Sequence, residues 1–193
     1  IQAFSGDQVN ELGVQSAADI VRLAPNINLS GQNSANRAIN IRGIGTSDFF
    51  GASPGSVGIY MDDVTMSSPY LTSVGLYDME RVEVLRGPQN TLFGRNTTGG
   101  AVNFISALPE VGGERDGFLR FTYGRYNRIE AEAASTFQLG DTTAVRVAGK
   151  SYDRDGIWND VSNGGAEYGD KDRKSVRGTI VWEPQEATTI TAN

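Results

Sequence analysis

Alternation with a period of two, held over strand-length stretches and repeated four times between residues 119 and 182, constrains this chain more than any other feature. In Leu119-Arg120-Phe121-Thr122-Tyr123 the apolar residues share one face. From 129 to 139 the odd positions read Ile, Ala, Ala, Ser, Phe and Leu, and the even ones Glu130, Glu132, Ala134, Thr136 and Gln138. Val145 and Val147 alternate with Arg146, and Lys150 keeps to the arginine side. Val176, Ile180 and Trp182 alternate with Arg177, Thr179 and Glu183. Successive strand side chains point to opposite faces, so each stretch predicts a strand with one apolar and one polar face. Strands of that length in series predict a transmembrane barrel wall, lipid outside and a polar lumen inside. Phe121, Ile129, Phe137, Val147, Ile180 and Trp182 are then expected to look outward. Glu130, Glu132, Arg146, Lys150 and Arg177 are expected to look in. A slip of one residue would drive every charge into hydrocarbon, so the register is strongly specified. The same alternation would serve a soluble sandwich with one buried face, which is the alternative reading.

The connections favour the barrel. Residues 139–142 and 183–186 read as short turns, whereas 154–172 is long, polar and glycine-containing, the asymmetry of outer-membrane barrels. Phe137 and Trp182 fall beside the short turns, where an aromatic girdle belongs. No run approaches the roughly 20 apolar residues of a membrane helix, which leaves strand crossing open.

Before residue 110 the pattern is different. Ser5 with Gln8 has capping-box spacing and predicts a helix over 7–12 that stops at Gly13. Ser16 with Asp19 repeats the arrangement ahead of a second helix over 17–24, ended by Pro25. Short strands then follow at 38–42, 57–64, 82–86 and 101–105, separated by glycines. This predicts a small α+β domain over 1–107, followed by barrel strands over 108–193.

Composition excludes several function classes. The chain has no histidine and no cysteine, so it lacks the usual general base, metal ligands and thiol nucleophile. The reading is therefore not an enzyme, with no cofactor and no catalytic or metal site. With 23 acidic against 17 basic residues and a net charge of -6, the chain is a poor nucleic-acid binder. Gly94 to Gly100 lacks the lysine of a phosphate loop. Asp153, Asp155, Asn159 and Asp160 fail the spacing of a calcium loop. Asp62 and Asp63 are adjacent and read as turn residues rather than a catalytic pair.

Four motifs in order carry a family resemblance. They are Ile39-Asn40-Ile41-Arg42-Gly43-Ile44-Gly45, Ile59-Tyr60-Met61-Asp62-Asp63-Val64, Glu80 through Gln89, and Thr91-Leu92-Phe93-Gly94-Arg95-Asn96-Thr97-Thr98-Gly99-Gly100-Ala101-Val102-Asn103. Together they resemble the TonB-dependent outer-membrane receptors. Residues 1 to about 107 resemble the plug domain, and 115–193 resemble the first strands of a barrel that has about 22 in the full family fold. Asp63 and Asn90 stand where the family usually has glycine. Both residue types tolerate positive φ, so both turns are expected to survive.

The resemblance implies an outer-membrane active transporter of a Gram-negative bacterium that imports a scarce nutrient with energy delivered by TonB and its inner-membrane complex. A ferric siderophore is the commonest ligand class, with haem, cobalamin and glycans as the others. Some 80 residues follow the plug, too few to close a barrel, so the chain is expected to be part of a longer receptor. Arg42 and Arg86 end apolar strands and need carboxylate partners if enclosed. The family implication is that they meet wall glutamates, for which Glu130 and Glu132 are candidates, the alternative being ion pairs within the plug. Loops 46–56 and 65–77 are the candidate ligand sensors, through Phe49, Phe50, Tyr70, Leu71 and Tyr77. Exposed aromatics among small polar residues are a common grip on an organic ligand. Packing against the wall is their alternative role. A soluble binding or adhesion module without transport is the competing function.

Overall fold

The computed structural model describes the chain except Leu23, residues 31–37, 46–54, Ser67, 69–74, 161–165 and Glu186. It divides into two compact units, Ile1–Ala107 and Leu108–Asn193.

The first unit opens with β1 (Gln2–Ser5) and α1 (Gly6–Glu11). The Ser5 hydroxyl accepts the Gln8 N–H at 3.3 Å, and the Gln8 carboxamide oxygen accepts the Ser5 N–H at 3.1 Å. The capping box read from the sequence is thus closed, and Gly13 stands beyond the helix end at φ 66°. The next segment differs from expectation. It winds as a 3-10 helix over Ala17–Arg22 rather than an α-helix to residue 24. Asp19 accepts from both the N–H and the hydroxyl of Ser16, at 3.0 and 2.9 Å, and with Pro25 close behind only a short, tight helix fits.

Strands β2 (Ile27–Ser30) and β3 (Ala38–Ile41) form their own antiparallel pair. The remaining strands are β4 (Val57–Met61), β5 (Val64–Thr65), β6 (Met79–Arg86) and β7 (Gly100–Ser106), with α2 (Asn90–Phe93) before β7. They build a five-stranded sheet in the order β1-β6-β7-β4-β5, in which β4 runs parallel to β7. Val82, Val84, Val102 and Phe104 are fully buried at its centre, and Ile41 of β3 is fully buried in the same core. Residues 57–64 do not form one strand. Asp62 and Asp63 take φ of 50° and 64° and turn the chain into β5, the positive-φ hairpin geometry that Asp allows. The Asp62 carboxylate accepts the Ser106 N–H at 2.7 Å and its hydroxyl at 2.8 Å, while Asp63 accepts from the Asn103 amide at 2.8 Å. Both carboxylates therefore fasten the turn to β7. Asn90 needs no positive φ at all, because it is the first residue of α2.

Gly100 shows why the glycine-rich segment before β7 is glycine. Its φ is 146°, and a Cβ there would lie 2.3 Å from the Leu85 carbonyl oxygen.

The second unit is an antiparallel meander of β8 (Gly117–Gly124), β9 (Arg128–Gln138), β10 (Thr143–Arg154), β13 (Lys171–Gln185) and β14 (Thr188–Ala192). Between β10 and β13 lies a two-stranded hairpin, β11 (Trp158–Asp160) with β12 (Ala166–Tyr168), which the polar sequence of that stretch hides. Pro184 also departs from expectation: β13 runs through it to Gln185, with a bulge between Trp182 and Gln185. A bulge leaves a residue outside the ladder, so a proline without an N–H is tolerated there.

Candidate functional site

The candidate site is the polar face of the β8–β13 meander, and its composition follows from register. Across the strands, Arg120 pairs with Glu132 and Glu132 with Lys150. One row further along, Thr122 pairs with Glu130, Glu130 with Tyr152, and Tyr152 with Arg173. In the row beyond Ala148, Arg146 lies between Thr136 and Thr179. Parity thus gathers charged side chains from several strands on one side.

Their contacts form a continuous ionic network. Lys150 Nζ lies 2.8 Å from Glu130 Oε1 and 3.3 Å from Glu132 Oε2. Glu130 also accepts from Arg128 at 2.7 Å, and Arg120 stands 3.5 Å from Glu132. The Arg128 guanidinium rests over the Tyr152 ring, 5.6 Å from its centroid. The Glu132 and Lys150 side chains are only 3 % and 10 % exposed. Ions this buried are stable only when paired, so the network is a condition of the face existing. A second group binds nearer the short turns. Arg146 Nη1 reaches both oxygens of Asp116, at 2.9 and 3.1 Å, and the Thr136 hydroxyl at 2.8 Å. Asp116, which precedes β8, has its carboxyl held below the usual range, first by the Thr136 hydroxyl and then by Arg146.

The other face is apolar and open. Leu119, Phe121, Tyr123, Ile129, Phe137, Val147, Val176, Ile180 and Trp182 are all exposed. Every side chain assigned outward from the sequence is on this face. Glu130, Glu132 and Arg146 are buried, and Arg177 half-buried, on the other. Exposed Tyr123 and Tyr126 add aromatics at the end opposite Phe137 and Trp182. An apolar face backed by an ion-paired one is the pattern expected of a membrane barrel wall.

The other candidate residues fall as follows. Glu130 and Glu132 share the network, and the partners just described lie on their own sheet. Arg86 donates to the Gln2 carboxamide at 2.5 Å, within the first unit. Arg42 occupies a tight turn with Gly43, at φ 55° and 78°, and its N–H donates to the Asn26 carbonyl at 2.9 Å. Tyr77 is half-buried beside Leu76, whose N–H donates to the Gln15 carbonyl. Phe49, Phe50, Tyr70 and Leu71 lie outside the described residues. The sequence reading did not single out Arg120 and left out Asp116 and Arg128. Extending the even-numbered face by a few residues beyond the stretches read would have found the last two.

An α+β sheet domain followed by an antiparallel wall with one apolar face fits an outer-membrane receptor of the plugged-barrel class. The family model of the TonB-dependent Receptor Plug Domain matches residues 1–101. The chain belongs to that family, and its place is the Gram-negative outer membrane. The pesticin receptor of Yersinia pestis is 33 % identical over 110 residues, which cover 55 % of this chain and 16 % of the receptor. A probable TonB-dependent siderophore receptor of Acinetobacter baumannii, PiuA, is 24 % identical over 87 % of this chain and 21 % of its own length. Among solved structures, the ferric yersiniabactin uptake receptor of Yersinia pestis superposes with a TM-score of 0.85 at 22 % identity. That match covers 96 % of this chain and 29 % of the receptor. The ferric-catecholate import receptor Fiu of E. coli gives 0.75 at 21 % identity, over 98 % of this chain and 25 % of that one. The chain thus spans well under a third of the length of the relatives it matches.

Proposed function

We propose that this receptor imports a ferric siderophore across the outer membrane with energy delivered by TonB, acting as a transporter and not as an enzyme. The observation that carries the reading is the pairing of a plug-family domain with a wall sheet that has one lipid-type face and one ion-paired face. Relatives named as siderophore receptors support the ligand class. In this reading loops 46–56 and 65–77 sense the ligand, through Phe49, Phe50, Tyr70, Leu71 and Tyr77. Arg42 and Arg86 serve as plug contacts for Glu130 and Glu132.

The test is uptake of radiolabelled iron by cells carrying the intact receptor, with and without TonB. Uptake of a ferric siderophore that disappears without TonB is the expected result. Uptake indifferent to TonB, or none with any iron chelate, refutes the reading. Phe49→Ala with Phe50→Ala is expected to weaken ligand binding while leaving receptor assembly intact. Unchanged affinity removes those two residues from the site.

A further inference from the structure

One surface of the second unit is aromatic and acidic at once, and it belongs to neither face of the wall. It is the hairpin of β11 and β12, a two-stranded sheet of its own between β10 and β13. Trp158 and Tyr168 are direct cross-strand partners there, so their rings project from the same side of the hairpin. They are 68 % and 49 % exposed, with Ile157 exposed beside Trp158. A Cβ at Gly169 would lie 3.3 Å from Trp158 Cδ1 and 3.6 Å from Ile157 Cγ1. One edge of the indole therefore rests near the Gly169 backbone while most of the ring stays open.

The hairpin is tied down at its base. The Ile157 N–H donates to the Tyr168 carbonyl at 3.0 Å, and the Asp155 N–H to the Tyr126 carbonyl at 2.9 Å. Arg154 donates through Nη2 to the Gly169 carbonyl at 2.6 Å, and the Asn127 amide donates to the Asp155 carboxylate at 2.5 Å. Aromatic anchors on a backbone already fixed give up little freedom on binding. Charge supplies the second half of the surface. Asp153 and Asp172 close the connection as cross-strand partners, and from one to the other the sequence has six acidic and two basic residues. Asp153, Asp170 and Asp172 are exposed. Like charges directly opposite across strands cost stability, and Lys174 comes only within 3.9 Å of Asp172. A cation arriving from solvent offsets that repulsion. Ring faces attract cations, and a guanidinium stacks on them better than an ammonium because it is planar and weakly hydrated. Carboxylates beside the rings add charge-assisted hydrogen bonds to the same group.

We propose that the β11–β12 hairpin is a docking surface for an arginine-rich polypeptide reaching the receptor from outside the cell. Its arginines stack on Trp158 and Tyr168 and pair with Asp153, Asp170 and Asp172. The outside location follows from the long connections of a barrel wall being extracellular. The surface uses no residue of the proposed ligand site, so it goes beyond the import reading. The probes are labelled nona-arginine, nona-lysine and nona-glutamate peptides, titrated by fluorescence anisotropy against the intact purified receptor in a non-ionic detergent. The expected result is nona-arginine bound several-fold more tightly than nona-lysine, weakening as salt rises, with no binding of nona-glutamate. Trp158→Leu should weaken nona-arginine about fivefold, the size of one exposed cation–ring contact, and nona-lysine less. Asp153→Asn with Asp172→Asn should weaken both cationic peptides, and it removes a repulsive pair, so the fold is not at risk. If Trp158→Leu fails to reach the outer membrane, the aspartate variant and the arginine-over-lysine preference decide. Equal affinity for the arginine and lysine peptides overturns the stacking and the proposal with it. Binding that survives both variants overturns the hairpin as the site. Ferric siderophore uptake should be unchanged in both variants; its loss places the hairpin on the path of the iron chelate and overturns the docking role.

Discussion

Lys150→Met isolates the ionic network at its centre. The ammonium sits 2.8 Å from one glutamate and 3.3 Å from the other, with a side chain 10 % exposed. At an effective dielectric of about 20, a unit-charge pair near 4 Å is worth about 4 kcal/mol before desolvation. Removing one partner of a buried pair costs about 3–5 kcal/mol, because the remaining charge is left poorly solvated. Arg128 remains 2.7 Å from Glu130, so that carboxylate keeps a strong contact. Glu132 keeps the longer 3.5 Å contact to Arg120 while only 3 % exposed. The lower end of the range therefore applies, about 3 kcal/mol, or more than a hundredfold in the folding equilibrium. The assay is urea unfolding of the intact receptor in detergent micelles, followed by gel mobility of heated and unheated samples. Adding Glu132→Gln to Lys150→Met should restore about half of the loss, since the carboxylate with the weaker remaining contact is neutralised. Lys174→Met is the control. Its ammonium is 77 % exposed and 3.9 Å from Asp172, and such pairs contribute at most about 1 kcal/mol. A Lys150→Met variant within about 0.5 kcal/mol of the parent, or no recovery in the double variant, refutes the reasoning.

Three further outcomes are expected. Gly100→Val should abolish a protease-resistant plug, because its side chain would collide with the Leu85 carbonyl at a φ that only glycine adopts freely; a resistant plug would contradict this. Asp62→Ala should destabilise by about 1–3 kcal/mol, read from the denaturation midpoint, since the N–H and hydroxyl of fully buried Ser106 lose their acceptor. Spin labels at 129, 147 and 180 should be relaxed by lipid-dissolved oxygen and labels at 130 and 146 should not; uniform water accessibility at all five would remove the lipid assignment.

Side-chain parity and turn chemistry are local properties, and both could be read from residues alone. The alternation over 119–182 sorted these side chains onto the two faces that the structure shows, because a strand fixes facing by position, whatever its neighbours. Asp63 could be placed in a positive-φ turn because the cost of that conformation belongs to the residue itself. Asn90 was misjudged for the opposite reason. Its conformation is set by α2, and that four-residue helix leaves little trace in the sequence. The parallel pairing of β4 with β7 joins segments some 40 residues apart and has no local signal. Strand β1 is four residues long, too short for a period to register. Pro184 read as a turn because nothing in the sequence announces a bulge.

The candidate site divides along the same line. Parity put Glu130, Glu132, Arg146, Lys150 and Arg177 on one face without any knowledge of which strand touches which. Register is a pairwise quantity, and only register makes neighbours of them. It turns Lys150 from one inward cation into the centre of a two-glutamate cluster, and it sets Arg154 against Lys171 instead of against an acid. Nothing local reveals that Lys150, four residues along β10 from Arg146, reaches both glutamates.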